Sequence, residues 1–437
     1  MSNPTAFLTD QYELTMVQAA MRDGLADKKA VFELFARRLP QGRKYGVVAG
    51  TGRVIEAVRN FRFDKKRIAW LEANKIVEPA VIERLRNFKF NGKITGYHEG
   101  DLYFPYSPIL TVEGTFAEAV LLETVLLSIM NYDSAVASAA SRMIQAAKGM
   151  PVYELGSRRA HEQAAVAAAR AAYITGFSAT SNLEAGYEYG IPTMGTSAHA
   201  FSLAHKDEKD AFREQVAALG VKTTLLVDTY DIEQGIRNAV EVAGTELGGI
   251  RIDSGDLYEE TTKARALLDE LGAVNTKIVL SSDIDEFIID ELVDRGTPVD
   301  GIGAGTKVVT GSGHPTAGMV YKLVAIEDEN GTMRPVAKKA NGKKSIGGRK
   351  YAWRETDSTG HAKKEIVLVR DNPLFAKQYV DTPDRRTLQR EFIVDGEVVF
   401  EPTLDEIREF HKFAVGELRH MDKTIQAGLA PAITAEF

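Results

Sequence analysis

No cysteine occurs among the 437 residues of this chain. Disulfides, thiolate nucleophiles and cysteine-held zinc or iron–sulfur sites are therefore excluded. A basic surplus is missing as well: 54 Lys and Arg stand against 61 Asp and Glu, a formal net charge of -7. Nucleic-acid binding and adhesion to anionic membranes both draw on such a surplus, so these partners are set aside, while local basic pockets for phosphate remain open. No apolar run is long enough to span a bilayer; the longest, FAEAVLLETVLLSIM, is broken by Glu118 and Glu123. The opening MSNPTAFLTDQYELTM carries Asp10 and Glu13 and lacks the basic-then-apolar order of a secretory leader. Eight histidines occur without HExxH or a comparable spacing, which argues against a histidine-held metal. With 44% hydrophobic residues and 14 prolines the chain reads as a globular, cytoplasmic enzyme. Its length exceeds one ordinary core, so two or three domains are expected.

Residues 150–310 have a rhythm. Short apolar runs end in polar residues, and a helical pattern follows each: PVYELGSRR before HEQAAVAAARAAYITG, TTLLVDTYD before IEQGIRNAVEVAG, GGIRIDSGD before YEETTKARALLDELG, and TKIVLSSD before DEFIIDELVDRG. DGIGAGTKV closes the series, and FSATS and IPTMGTSAH are weaker members, giving about seven units. Apolar strands with little alternation suit a parallel sheet buried on both faces. Repeated strand–helix units without a dinucleotide fingerprint at the first turn predict an irregular, incomplete TIM-like α/β barrel over 131–317, with a doubly wound sheet as the other option. The flanks, 1–130 and 318–437, mix short strands with amphipathic helices and read as one discontinuous α+β domain. A hairpin turn is expected at Glu329–Gly331, and a closing helix in TLDEIREFHKFAVGELRHM.

In α/β barrels the chemistry lies at the carboxyl ends of the strands. Polar residues cluster there: Glu154 and Arg158, Thr196 and His199, Asp228 and Asp231, Arg251, Asp253 and Asp256, Ser281 to Asp283, and Gly303 to Thr306. In GIGAGT the alternating Gly301, Gly303 and Gly305 let backbone amides approach an anion, with a plain tight turn as the competing reading. In IRIDSGD, alternation puts Arg251 and Asp253 on one face. The guanidinium fork suits a planar carboxylate, and the aspartates can hold ribose hydroxyls or Mg²⁺. The alternative is an internal salt bridge plus a helix cap at Asp256. Asp283 in SSDIDE ends a strand, while Asp285 fits a cap. His199, in the small-residue loop GTSAHAF, can serve as acid, base or phosphoryl acceptor, or simply as a structural histidine. Tyr12 lies on an amphipathic stretch and reads as a core or interface tyrosine. The basic KKANGKKSIGGRK (338–350) reads as a solvated hairpin or a polyphosphate-contacting loop.

Together these motifs resemble the nicotinate phosphoribosyltransferase family. The resemblance runs through TDQYELTM, EGDLYFPYSPILTVEG, NYDSAVASAASRM, YELGSRRAH, GTSAHAF, LLVDTYD, IRIDSGD, SSDID, GIGAGT and MVYKLV. It implies an irregular α/β barrel joined to a discontinuous sandwich domain, acting as a homodimer with shared sites. It implies that His199 is phosphorylated by ATP, that Tyr12, Thr196 and Arg251 contact nicotinate, and that Arg158 is a further active-site arginine. Thr306, with Gly303 and Gly305 beside it, would hold phosphoribosyl pyrophosphate, and Asp253 and Asp283 the ribose. The implied reaction is displacement of pyrophosphate at ribose C1 by the pyridine nitrogen, with Mg²⁺ on the pyrophosphate and ATP as ancillary energy source; the residues of IRIDSGD themselves make Asp256 the candidate Mg²⁺ ligand. Two departures stand out: without cysteine there is no C-terminal zinc knuckle, and Gly347 replaces a common Pro. Competing readings are the same fold acting on nicotinamide, a quinolinate phosphoribosyltransferase, and a non-catalytic pyridine-nucleotide sensor.

Overall fold

The computed structural model describes residues 3–338, 345–369, 381–425 and 433–436. Residues 339–344 of the basic stretch lie outside the described residues. The chain divides into two compact units, residues 1–138 with 316–437, and residues 139–315.

The first unit is built on a seven-stranded sheet in the order Met333–Pro335, Met319–Glu327, Lys29–Ala36, Leu110–Thr115, Lys93–Tyr97, Gln389–Val394 and Glu397–Val398. Every neighbouring pair in it is antiparallel. Its third strand, Lys29–Ala36, is buried at every position but the first, and its one buried charge, Glu33, is paired with Lys350. Strands Lys350–Thr356 and Ala362–Val369 pair in a second, four-stranded sheet. The expected hairpin forms. Asp328 accepts the backbone N–H groups of Asn330 and Thr332, and Gly331 takes the left-handed φ of 78° that the turn needs. The closing helix is Leu404–Gly416, started by a reciprocal Thr403–Glu406 capping box.

The second unit holds a curled, fully parallel sheet in the order Ala179–Thr180, Val152–Glu154, Gly301–Ala304, Lys277–Ser282, Gly249–Ile252 and Thr224–Leu226. The first strand in sequence pairs with the last, so the order is circular, as in a barrel, and not that of a doubly wound sheet. The circle stays open. Among the described residues, the continuation after Ala179–Thr180 is a single bridge, Thr180 to Thr193, and no pairing links that segment to Thr224–Leu226. The two weak members of the sequence series are therefore a two-residue strand and one bridge. Helices such as Glu162–Ile174, Ile232–Ala243 and Leu257–Glu270 follow the strands. Ile250, Ile252, Leu280 and Ile302 are fully buried on one face of the sheet. At about 1.5–3 kcal/mol per side chain, that layer can hold the sheet while the other face carries polar groups.

Candidate active site

Because all six strands run the same way, their carboxyl ends form one rim, and the expected residues collect along it. Glu154 ends its strand, Asp253 follows Ile252, Asp283 follows Ser282, and Gly305 and Thr306 follow Ala304. Two cavities open there. One, of about 480 Å³, is lined by Tyr153, Met194, Thr196, His199 and Val279 among others, and its walls are largely apolar. The other, of about 550 Å³, is lined by Arg159, Ser281, Ser282, Asp283, Gly305 and Thr306 and is largely polar. Leu155, Arg158, Arg251 and Asp253 line both and form a shared wall.

Arg251 reaches that wall because strand alternation decides its direction. Ile250 and Ile252 take the buried face, and Arg251, in register with Val279 and Leu226, takes the other. Burial lowers its pKa, the nearby Arg158 guanidinium pushes the same way, and Asp253 and Asp228 oppose them. Its Nε is buried without a hydrogen-bond partner, as are Thr196 Oγ1 and Ser281 Oγ. A buried polar atom left unpaired costs about 1–3 kcal/mol. Three of them on the walls of these cavities favour a ligand-binding role over an internal salt bridge.

His199 is the first residue of the short helix His199–Ala204 and lines the apolar cavity. Its Nδ1 lies 3.2 Å from Thr229 Oγ1. Its Nε2 faces two carboxylates, 3.9 Å from Asp228 Oδ1 and 3.8 Å from Asp253 Oδ2. Asp228 is the organiser that the motif reading left without a role. Its Oδ2 accepts the Asp253 N–H at 2.8 Å and the Ser254 hydroxyl at 2.7 Å, while Oδ1 is buried with no hydrogen bond. One carboxylate thus fixes the IRIDSGD turn and faces the histidine.

Other expected residues have structural work. Glu154 is buried, accepting the Gly156 N–H and, at 2.5 Å, the Thr180 hydroxyl, and so pins the arginine-bearing turn to the edge strand. Asp231, Asp256 and Asp285 cap the helices that follow them, each accepting backbone N–H groups of the first turn. Asp256 thus takes its capping alternative, and it is not among the residues lining either cavity. The glycines of GIGAGT differ in their reasons. A Cβ on Gly301 would come 2.9 Å from the Tyr153 ring, and one on Gly303 would come 2.3 Å from Leu155 Cδ1. Both are glycine so that these two side chains can cross the inner face; Gly305 alone is a loop position. Arg159 was missed by motif reading, although it adjoins Arg158 and lines the polar cavity. Tyr12 belongs to the other unit, on the helix Gln11–Arg22, and is 49% exposed.

Residues 7–131 match the family model described as the nicotinate phosphoribosyltransferase N-terminal domain, and residues 150–345 match that of the nicotinate phosphoribosyltransferase family. The nicotinate phosphoribosyltransferase pncB1 of Mycobacterium tuberculosis is 56% identical over 84% of this chain and 81% of its own length. That of Bacillus subtilis is 42% identical over 81% and 74%. The crystal structure of human nicotinic acid phosphoribosyltransferase superposes with a TM-score of 0.83 at 26% identity, covering 98% of both chains. No helix among the described residues is long and apolar enough to cross a membrane.

Proposed function

The chain belongs to the nicotinate phosphoribosyltransferase family, and from that premise we propose how its parallel-sheet unit performs the family's reaction. The activity is transfer of a phosphoribosyl group to nicotinate, in NAD biosynthesis. Nicotinate occupies the apolar cavity, with its carboxylate on Arg251 and with Thr196 and Arg158 beside it. The phosphoribosyl group occupies the polar cavity, with Asp253 and Asp283 on the ribose hydroxyls and Gly303, Gly305 and Thr306 along the phosphate. C1 then falls at the shared wall. The pyridine nitrogen attacks C1 as the bond to the pyrophosphate oxygen breaks, and Asp253 faces the positive charge that develops on the sugar. Positioning and electrostatics carry such a step.

The observation that carries this reading is Arg251 itself. Its guanidinium sits among apolar walls, beside Arg158, and among the described residues no carboxylate lies within ion-pairing distance of either. An anionic ring substituent relieves that arrangement, and a neutral amide does not. Nicotinate is accordingly favoured over nicotinamide.

ATP and Mg²⁺ are proposed as well. His199 accepts the γ-phosphoryl group of ATP, and its position beside both Asp228 and Asp253 couples that event to the ribose site. Among the described residues no cluster of three or more His, Asp or Glu forms a ready cage for a metal. The donors present fit Mg²⁺ that arrives on pyrophosphate and keeps its water, with Asp253 and Asp283 as the carboxylates at hand. Bound there, Mg²⁺ would neutralise the leaving group. We also propose a cytoplasmic homodimer in which the partner's Tyr12 completes the nicotinate site, and we read residues 1–130 and 318–437 as a discontinuous sandwich domain. A turnover assay offering nicotinate, nicotinamide and quinolinate separately, with and without ATP, tests the reading. Preference for nicotinamide or quinolinate, or no turnover of any, would sink it.

A further inference from the structure

Two segments that wall the polar cavity are stitched together behind it by groups the reaction does not use. Asp283 lines the cavity, and three residues on comes Glu286, buried at 1% exposure. Gly305 and Thr306 line it from the end of the neighbouring strand, where Ala304 pairs with Ser282, and their segment runs on to Ser312. The Ser312 hydroxyl donates to Glu286 Oε2 at 2.6 Å, while Glu286 Oε1 is held by Arg142 Nε at 3.1 Å. Both side chains of that ion pair are at most 4% exposed. A second stitch joins Lys307 Nζ to Asp285 Oδ2 at 3.3 Å. Ser312 takes a left-handed φ of 51°, a region that a non-glycine residue holds only where its surroundings impose it, and its N–H donates to Lys307 O at 2.6 Å.

We propose that Arg142, Glu286 and Ser312 form a positioning bracket that sets the distance between the Asp283 wall and the Gly305–Thr306 wall, and so the affinity for the phosphoribosyl substrate. A buried carboxylate cannot go unpaired, so Glu286 must keep both Arg142 and the Ser312 hydroxyl, and through Ser312 it fixes the end of the segment that starts at Thr306. The Thr310 hydroxyl, bonded to Thr306 O at 2.7 Å, stiffens the turn between them. These residues are placed behind the cavity walls and act on substrate through Thr306 and Asp283. The proposal rests on the reading that this cavity takes the phosphoribosyl group.

Ser312→Ala removes only the hydroxyl, and Ser312→Gly also relieves the left-handed backbone. Steady-state kinetics of the whole enzyme should show the KM for phosphoribosyl pyrophosphate raised roughly tenfold in both, as loss of one hydrogen bond to a charged acceptor predicts. The KM for nicotinate should stay within about twofold, and the melting temperature of Ser312→Gly should not fall below that of Ser312→Ala. A merely structural bracket would lower the melting temperature and leave the ratio of the two KM values unchanged, which overturns the proposal. Thr306→Val separates the two layers of argument. If it raises the KM for phosphoribosyl pyrophosphate and the Ser312 variants do not, the bracket is wrong and the cavity reading stands. If none of the three changes it, the cavity reading fails and the bracket with it.

Discussion

The unpaired carboxylate oxygen of Asp228 stands 3.9 Å from Nε2 of His199, too far for a hydrogen bond and near enough to orient the ring. The other oxygen of Asp228 is committed to the Asp253 backbone and to Ser254. A histidine that merely satisfied its loop would need no such neighbour, and Asp228 would not be left with an unpaired buried atom.

Asp228→Asn keeps an acceptor for Asp253 and Ser254 and removes the charge facing the ring. Labelling of the enzyme from γ-labelled ATP should fall roughly tenfold or more, and stimulation by ATP should fall with it, while slow transfer without ATP persists. His199→Ala should abolish labelling altogether and leave the same ATP-independent rate. Label that is stable in acid, or retained in His199→Ala, would remove His199 from the phosphoryl path.

Arg251 and Arg159 make opposite predictions, because one stands on the wall shared by both cavities and the other on the polar cavity alone. Arg251→Lys keeps the charge and loses the planar fork. The KM for nicotinate should rise by about one to two orders of magnitude, and that for phosphoribosyl pyrophosphate much less. Arg159→Met should raise the KM for phosphoribosyl pyrophosphate and spare nicotinate. Equal effects on both substrates in both variants would mean that the cavities are not divided as proposed.

Much of this site is legible in the sequence. Strand alternation alone places Arg251 and Asp253, and the apolar runs ending in polar residues mark five of the six parallel strands. The weaker members FSATS and IPTMGTSAH yielded only a two-residue strand and a bridge, because those segments carry too few apolar residues to bury a strand on both faces. The glycines of GIGAGT illustrate a deeper limit: the same spacing serves an anion cradle or clearance for Tyr153 and Leu155, and only the register across the sheet tells them apart. Glu286 and Arg142 lie 144 residues apart, so no local pattern links them.

The dimer with shared sites is tested by complementation. Tyr12→Ala and Asp253→Ala should each be nearly inactive as homodimers. If the partner's Tyr12 completes each site, a mixed dimer carries one intact site, so subunit exchange should restore up to about a quarter of wild-type activity in an equal mixture, by random assortment of subunits. Exchange is verified independently with differently tagged subunits. No recovery in a mixture shown to exchange would place Tyr12 outside the partner's site.

The last prediction concerns Glu13, in the motif that carries Tyr12. Its side chain is fully buried, Oε1 accepts the N–H of Thr124 at 3.0 Å and its hydroxyl at 2.7 Å, and Oε2 is buried without a partner. Burial pushes the carboxyl from 4.5 up to about 7, against the two bonds from Thr124 and with help from Glu123 and Asp10. The folded chain therefore binds this proton more tightly than the unfolded chain does. The resulting stability is complete below pH 4.5 and is lost as pH rises through about 7. Glu13→Gln keeps the acceptor for Thr124 and cannot ionise. The variant should melt close to wild type near pH 5 and above it near pH 8, with the difference opening between about pH 5 and 7. Other titrating groups move both proteins alike, so the difference between the two melting curves isolates Glu13. A difference that stays flat from about pH 5 to 8 would show that Glu13 remains ionised throughout, and that the helix Gln11–Arg22 bearing Tyr12 is anchored by a charged, not a neutral, side chain.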